Sequence, residues 1–206
     1  MNRVFLIAGR MGAGKSTFGE LLRQECQAVN TYAFADPIKE DAVKLDEGIK
    51  EIVEDIGWDE AKRHSPYVRG WLQEYSKGKK AKDLYYFPRL VVPRMLEEKT
   101  AIITDLRFFL ELDYVLSLKP HYQNGLRVVV VWMKRDTNEA NNPALLDESE
   151  KLTYNKLARY RGNLSTTGFD FDLCQIPNHM YEDDVYEQIL RDCAKHLNHD
   201  YKSKGN

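Results

Sequence analysis

The fold is decided by residues 9–17, which read Gly9-Arg10-Met11-Gly12-Ala13-Gly14-Lys15-Ser16-Thr17. A glycine, four residues and then Gly-Lys-Ser lie between the apolar run 4–8 and the segment 15–28. That segment has apolar side chains at spacings of three and four, the period of a helix with one buried face. In such a unit, backbone N–H groups and the helix N-terminus surround one concave site that attracts anions. The sequence therefore predicts a phosphate-binding loop between the first strand and the first helix.

Short apolar runs predict the rest of the sheet. Residues 128–131 are four consecutive valines, as expected for a strand that is covered on both faces. Strands are predicted at residues 4–8, 101–104, 128–133 and 171–176, with a weaker fifth strand at 32–35. Helices are predicted at residues 15–28, 37–45, 49–56, 68–75, 84–98, 108–118 and 183–197, with a lysine-rich break at 76–82. This alternation predicts an α/β fold, namely a three-layer P-loop NTPase fold with a parallel sheet of about five strands flanked by helices.

The composition limits the class of protein. The chain has 206 residues, 30 Lys and Arg, 32 Asp and Glu, and a net charge of −2, so we expect no general attraction to nucleic acid. No run of about 18 apolar residues is present, so no membrane span is predicted. The three cysteines are widely spaced and odd in number, which argues against a disulfide framework or a zinc cluster. We therefore expect a single domain, residues 1–206, in the cytoplasm, or in the host cytoplasm if the source is viral.

Two side chains of the loop carry the chemistry expected of it. The Lys15 amine can reach the β- and γ-phosphate oxygens of ATP, and the Ser16 hydroxyl can ligate Mg²⁺. ATP and Mg²⁺ are therefore the expected cofactors. The predicted ATP-binding residues of the loop are Gly12, Ala13, Gly14, Lys15, Ser16 and Thr17.

Two sequence features favour a kinase over other P-loop proteins. A guanine-reading Asn-Lys-x-Asp segment is absent, because Asn155-Lys156 is followed by leucine and alanine. A motor ATPase usually has a strand that ends in two acids, whereas the strand 101–104 is followed by Asp105-Leu106-Arg107. An acid and a guanidinium at one strand end suit a substrate hydroxyl or a metal-bound water together with a phosphate. The pattern indicates transfer onto a small acceptor.

Two pairs of polar residues are candidates for binding that acceptor. Asp36 and Lys39 follow the weak strand, and open α/β sheets bind ligands outside their strand ends; alternatively, Asp36 caps a helix that begins at Pro37. Arg69 and Gln73 are four residues apart and share one helical face. An arginine makes bidentate phosphate contacts, and a glutamine can read a base edge. An Arg–Gln pair at this spacing is equally expected on an ordinary solvent-exposed surface.

Motifs along nearly the whole chain occur in the order of one known family. They are the phosphate loop 9–17, Ala35-Asp36-Pro37-Ile38-Lys39, Gly57-Trp58-Asp59 through Lys62, Arg69-Gly70-Trp71-Leu72-Gln73, Ile103-Thr104-Asp105-Leu106-Arg107-Phe108 with Glu111, Asp147-Glu148-Ser149-Glu150, and Asp172 through Asn178. Together they resemble the phage-type deoxynucleoside monophosphate kinases, members of the P-loop nucleoside monophosphate kinase group. The chain departs from that family's pattern at residues 75–78, 110 and 147–148, in the acceptor and lid regions.

The resemblance implies ATP-dependent phosphorylation of a deoxynucleoside 5′-monophosphate, giving the diphosphate and ADP. It implies a helical acceptor-binding insertion over residues 36–99 and a lid over residues 134–152. By this resemblance the acceptor is bound by Asp36, Lys39, Arg69, Gln73, Arg107 and Glu150. Asn178 is then expected beside the ATP adenine.

Cations are expected around the transferred phosphoryl group, because transfer onto an acceptor phosphate brings two anions together. The predicted catalytic residues are Lys15, Asp105, Arg107 and Arg135. Arg135 follows the strand 128–133 and lies at the base of the predicted lid, with Arg159 or Arg161 as further lid cations. For each of these three arginines, a solvent-exposed position without a role in transfer is the alternative.

Two other functions stay open. A P-loop kinase could act on a hydroxyl acceptor, either a small metabolite or a hydroxymethylated base in DNA, with Asp36 or Asp105 as the base. In the DNA case the lysines of residues 77–82 would contact the polynucleotide. An ATP-binding regulatory module is less favoured, because the loop lysine and the strand-end acid and arginine are all present. We expect small-molecule nucleotide substrates and neither membrane nor nucleic acid as a partner, and leave a homodimer open.

Overall fold

Five parallel strands form one sheet with the order β2-β3-β1-β4-β5 in the computed structural model. The structure describes residues 2–9, 13–121, 125–135, 169–176 and 183–203. The strands are β1 (Asn2–Gly9), β2 (Thr31–Tyr32), β3 (Thr100–Leu106), β4 (Leu126–Arg135) and β5 (Asp170–Ile176). The helices are α1 (Lys15–Cys26), α2 (Asp36–Leu45), α3 (Glu47–His64), α4 (Pro66–Lys82), α5 (Tyr86–Leu96), α6 (Phe109–Ser117) and α7 (Asp183–Ser203), with a 3-10 turn at Lys119–His121. The predicted α/β fold with about five parallel strands flanked by helices is confirmed.

Two local predictions differ from the structure. The weak strand predicted at 32–35 is only Thr31–Tyr32, because residues 34–35 form the turn that leads into α2. The break predicted at residues 76–82 is wrong, since α4 continues through Lys82. Lysine and alanine are good helix formers, and lysines in a last turn interact favourably with the helix dipole. At the other end, the Ser65 hydroxyl accepts a hydrogen bond from the Val68 N–H at 3.3 Å and caps the helix.

The chain divides into two compact units. Unit 1 contains Met1–Ala33 and Val92–Asn206, and unit 2 is Phe34–Val91. Unit 2 overlaps the predicted insertion 36–99, whose role in binding an acceptor stays a prediction. Its core contains Ala42, Ile49, Ala61 and Val68 from α2, α3 and α4. Unit 2 is therefore a helical unit with a core of its own.

The core of unit 1 lies between the sheet and the helices α1 and α7. Phe5 and Ile7 of β1 and Val129 and Val131 of β4 are buried, together with Phe18 of α1. Full burial of a side chain of this size stabilises a fold by about 1.5–3 kcal/mol. The valines that suggested a strand covered on both faces are all completely buried. Apolar packing thus holds the central strands in place. Polar residues follow at their carboxyl ends.

Among the residues that the structure describes, no helix is both long and apolar enough to cross a membrane.

Candidate active site at the carboxyl edge of the sheet

The parallel sheet brings several predicted site residues to one edge. In the strand pairing, Gly9 of β1 is opposite Met133 of β4, and Ala8 is opposite Leu106 of β3. The phosphate loop therefore leaves the sheet between the carboxyl ends of β3 and β4. Asp105 and Arg107 lie at the end of β3, and the backbone of Arg135 ends β4. Open α/β sheets bind their ligands at this edge.

Two glycines shape the loop where it leaves β1 and enters α1. Gly9 has φ +140°, and a Cβ at this position would lie 2.5 Å from the Met133 carbonyl oxygen. Gly14 has φ +83° and occupies the N-cap position of α1. Both conformations are accessible to glycine and rarely to other residues. The glycines of the motif are therefore required by the path of the backbone.

The Lys15 side chain reaches back across the loop to the strand that precedes it. Its Nζ donates a hydrogen bond of 2.7 Å to the Gly9 carbonyl oxygen. The side chains of Ser16 and Thr17, in the first turn of α1, are exposed. An ammonium group and two hydroxyl groups are thus available where the helix N-terminus attracts an anion.

Close packing of α1 on β3 was not predicted from the sequence. A Cβ on Gly19 would lie 2.4 Å from the Thr104 Cγ2. Only a residue without a side chain lets α1 approach the end of β3 so closely. The signal in the sequence is a glycine on the apolar face of a helix, a pattern that does not by itself identify the strand that packs there. This approach places the loop helix beside the strand that carries Asp105 and Arg107.

Glu111 holds the turn that contains Arg107. Its side chain is buried, with the residue 4% exposed. One carboxylate oxygen, Oε2, accepts hydrogen bonds from the backbone N–H groups of Arg107 at 2.9 Å and Phe108 at 3.0 Å. The sequence placed Glu111 within a motif without a role, because a backbone-binding carboxylate cannot be distinguished there from a surface one. In the structure, Glu111 is the residue that orients the backbone at Arg107.

Two substitutions at Glu111 test this role. Glu111→Ala removes the buried carboxylate that accepts two backbone hydrogen bonds, so we expect a loss of about 1–3 kcal/mol in the free energy of unfolding. Glu111→Gln keeps an oxygen at the same place and should cost clearly less. Urea unfolding of the two variants and the wild type measures the difference. Equal stability of the alanine and glutamine variants would show that the hydrogen bonds do not hold the turn.

The two predicted acceptor pairs both lie in unit 2. Strand β2 ends at Tyr32, so the prediction that Asp36 and Lys39 lie at a strand end is not met. They are in the first turn of α2, where the Lys39 Nζ is 3.0 Å from the Asp36 Oδ1. Arg69 and Gln73 lie one turn apart on α4, and both are exposed. The expected shared helical face is therefore observed for this second pair.

Several predicted site residues fall on parts of the chain that the structure does not describe. They are Gly12 of the loop, Glu150 and the two arginines Arg159 and Arg161 of the lid region, and Asn178. The backbone of Arg135 is described as the last residue of β4, and its side chain is not. The predicted lid, residues 134–152, is thus outside the described residues from residue 136 onward.

Comparison with known proteins finds matches among solved structures. No family description matches the chain, and no curated protein matches it. A sugar kinase from Janibacter sp. aligns with 96% of this chain and 95% of its own, at 14% identity and a TM-score of 0.38. A gluconokinase from Sinorhizobium meliloti aligns with 98% of this chain and 97% of its own, at 13% identity and a TM-score of 0.36. At these TM-scores, the fold assignment rests on the chain's own sheet order and loop.

Proposed function

We propose that the protein is an ATP-dependent phosphotransferase that acts on a small acceptor. The observation that carries the proposal is the Lys15 Nζ, which lies 2.7 Å from the Gly9 carbonyl in a glycine loop that opens α1. A lysine held over such a loop is the group that binds the β- and γ-phosphates in P-loop proteins. Asp105, an acid, and Arg107, which carries a guanidinium, lie at the end of the neighbouring strand β3. This combination supports transfer of a phosphoryl group over binding alone.

The proposed mechanism is positioning and charge neutralisation. A phosphoryl group in transfer spreads negative charge over its equatorial oxygens, so fixed cations stabilise the transition state more than the ground state. Lys15 would neutralise the charge of ATP from the loop side. Arg107, whose backbone is oriented by Glu111, would approach from the end of β3. Arg135, at the end of β4, is proposed as a third cation.

The proposed metal is Mg²⁺, with the Ser16 hydroxyl as its protein ligand. The Ser16 side chain is exposed in the first turn of α1, next to Lys15, which suits a ligand shared with a bound phosphate. Mg²⁺ usually takes one or two protein ligands and completes its shell with phosphates and water. When bound, it would add positive charge to the β- and γ-phosphate oxygens. The described residues contain no cluster of three or more His, Cys, Asp and Glu that could hold a metal by itself.

Two acceptor classes are proposed. The first is a deoxynucleoside 5′-monophosphate, in line with the motif order and with the exposed Arg69 and Gln73 on one face of α4. The second is a hydroxyl compound, either a small metabolite such as a sugar or a hydroxymethylated base in DNA. Asp105 favours the second class, because a hydroxyl group loses a proton on attack and a carboxylate at the strand end can take it. An acceptor phosphate is already an anionic nucleophile and needs no such base.

A coupled assay of ADP release distinguishes these acceptors. Purified protein with ATP and Mg²⁺ would be offered the deoxynucleoside monophosphates, their nucleosides, a panel of sugars, and oligonucleotides with hydroxymethylated bases. Release that depends on one acceptor class identifies the reaction, and its product can be checked by mass spectrometry. ADP release with none of the acceptors, in protein that binds ATP, would contradict the proposal.

Arg69 and Gln73 should affect the acceptor in different ways. If the acceptor is a deoxynucleoside monophosphate, Gln73→Ala should raise its KM for some bases more than for others, because an amide reads base edges. Arg69→Ala should raise the KM for every acceptor alike, because a phosphate contact does not depend on the base. Neither variant should change the KM for ATP. Steady-state kinetics over the four bases test this, and a defect limited to ATP would remove α4 from the acceptor site.

A further inference from the structure

A groove in unit 2 has the chemistry of a second ligand site. It has a volume of about 320 Å³ and is lined by Glu74, Tyr75, Gly78, Lys79, Lys82 and Tyr86. This volume is at the lower end of the range for small-molecule sites. All of its lining residues belong to α4 and to the first residue of α5. The groove is thus formed within unit 2 alone.

Tyrosine rings hold a lysine in this groove. The Lys79 Nζ lies 5.0 Å from the ring centroid of Tyr75 and 4.9 Å from that of Tyr86. These distances are within the range of cation–π attraction. Hydrogen bonds to the side chains of Tyr75 and Tyr86 raise the pKa of Lys79 above its usual value. The groove therefore contains a positioned ammonium group between two aromatic walls.

The Tyr75 ring is itself held from two directions. It stacks on Trp71, with ring centroids 4.7 Å apart and planes 12° from parallel. Its hydroxyl donates a hydrogen bond of 2.6 Å to the Asp41 Oδ2 on α2. A ring fixed in this way loses little further conformational entropy when a ligand packs against it. One wall of the groove is therefore preformed.

The groove lies on a different face of α4 from the predicted acceptor pair. At 3.6 residues per turn, Tyr75, Lys79 and Lys82 fall within about 60° of one another around the helix axis. Arg69 and Gln73 fall about 110° and 150° away from the middle of that group. The acceptor pair and the groove therefore use different faces of one helix.

We propose that this groove binds a nucleotide, with Lys79 and Lys82 on its phosphate and the Tyr86 ring against its base. Aromatic rings with interleaved cations are the usual means of binding unpaired nucleotides. Helix α4 favours an anionic ligand, since it carries five Lys and Arg and one acid, Glu74. The Glu74 carboxylate supplies an acceptor for a base amino group. The nucleotide can be free or part of a single-stranded polynucleotide.

The binding test is made in a variant whose proposed active site is disabled. It uses a Lys15→Ala, Arg69→Ala double variant without ATP or Mg²⁺, so that neither the loop lysine nor the acceptor arginine contributes. One arm measures fluorescence anisotropy of a short fluorescein-labelled oligodeoxythymidine at several salt concentrations. The other arm measures equilibrium dialysis of radiolabelled deoxythymidine monophosphate. Failure of the proposed phosphotransfer therefore does not affect the outcome of this test.

Three further substitutions in that background locate the binding. Tyr86→Leu removes a ring and should weaken binding at least about fivefold. Lys82→Gln removes a phosphate contact and should lower the slope of log affinity against log salt by about 0.7 for the oligonucleotide. Lys77→Gln is the matched control, since Lys77 has the same charge on the same helix and does not line the groove. Circular dichroism of each variant confirms the helical content.

The two arms identify the source of the nucleotide. Tight oligonucleotide binding that is lost in Tyr86→Leu and Lys82→Gln, and kept in Lys77→Gln, supports the site with a polynucleotide ligand. The same pattern for the mononucleotide, with no gain from the oligonucleotide, supports the site with a free nucleotide. The proposal is overturned if neither probe binds, if the groove variants bind normally, or if Lys77→Gln loses as much affinity as Lys82→Gln.

Discussion

Lys15→Ala is expected to lower phosphoryl transfer by about three orders of magnitude or more, with the fold kept intact. The Lys15 amine lies 2.7 Å from the Gly9 carbonyl oxygen. Lys15 contributes a charge to an anion site that is formed by backbone. The glycines of the loop and the first turn of α1 are unchanged in the variant, so the site should keep its shape. Removing that charge affects the transition state most, since charge is then spread over the transferred group.

Two measurements on purified Lys15→Ala test the prediction. The ADP-release assay measures turnover, and urea unfolding measures stability, for which we expect a loss of only about 1 kcal/mol. Lys44→Ala is a suitable control, because Lys44 is an exposed lysine of α2 and should change neither quantity. Near-normal turnover in Lys15→Ala would show that this loop does not hold the phosphoryl donor.

Asp170→Ala is expected to destabilise the protein by about 3–5 kcal/mol. Asp170 begins β5, and its Oδ2 accepts hydrogen bonds from Nε of Arg127 at 3.0 Å and from Nη2 at 2.7 Å. Arg127, on the neighbouring strand β4, is only 5% exposed. The same carboxylate favours the charged form of Lys119, whose pKa is lowered mainly by burial. Without Asp170, the buried Arg127 and the partly buried Lys119 would lose the negative charge that Asp170 provides.

The loss expected for Asp170→Ala is a large share of the free energy of unfolding of a typical domain, which is roughly 5–15 kcal/mol. Urea unfolding of Asp170→Ala and of an Arg127→Met, Asp170→Leu double variant measures it. The double variant should recover most of the loss, because it removes both members of the buried Arg127–Asp170 pair. Glu20→Ala breaks the exposed Arg23–Glu20 pair of α1 and should change the stability far less than Asp170→Ala. A similar cost for Asp170→Ala and Glu20→Ala would show that the buried pair does not hold β5.

Local chain geometry explains what the sequence predicted well. The loop between Gly9 and Gly14 depends on backbone angles that few residues other than glycine adopt, so a short motif of neighbouring residues is enough to predict it. The strands β1 and β4 are recognisable because they are covered on both faces, which requires unbroken apolar runs. The ends of elements were predicted less well. The lysine-rich residues 76–82 suggested a break in α4, but helix propensity and the helix dipole favour continuation through Lys82.

Contacts between distant residues account for what only the tertiary structure decided. Gly9 must be glycine also because of Met133, which lies far along the chain on β4. The groove at Tyr75, Lys79 and Tyr86 exists because α5 brings one ring to a lysine on α4. Such neighbours depend on packing between elements, and their spacing in the chain carries no periodic signal. The sequence by itself therefore determined the phosphate loop and the alternation of strands and helices along the chain, whereas burial and close approach decided which side chains meet.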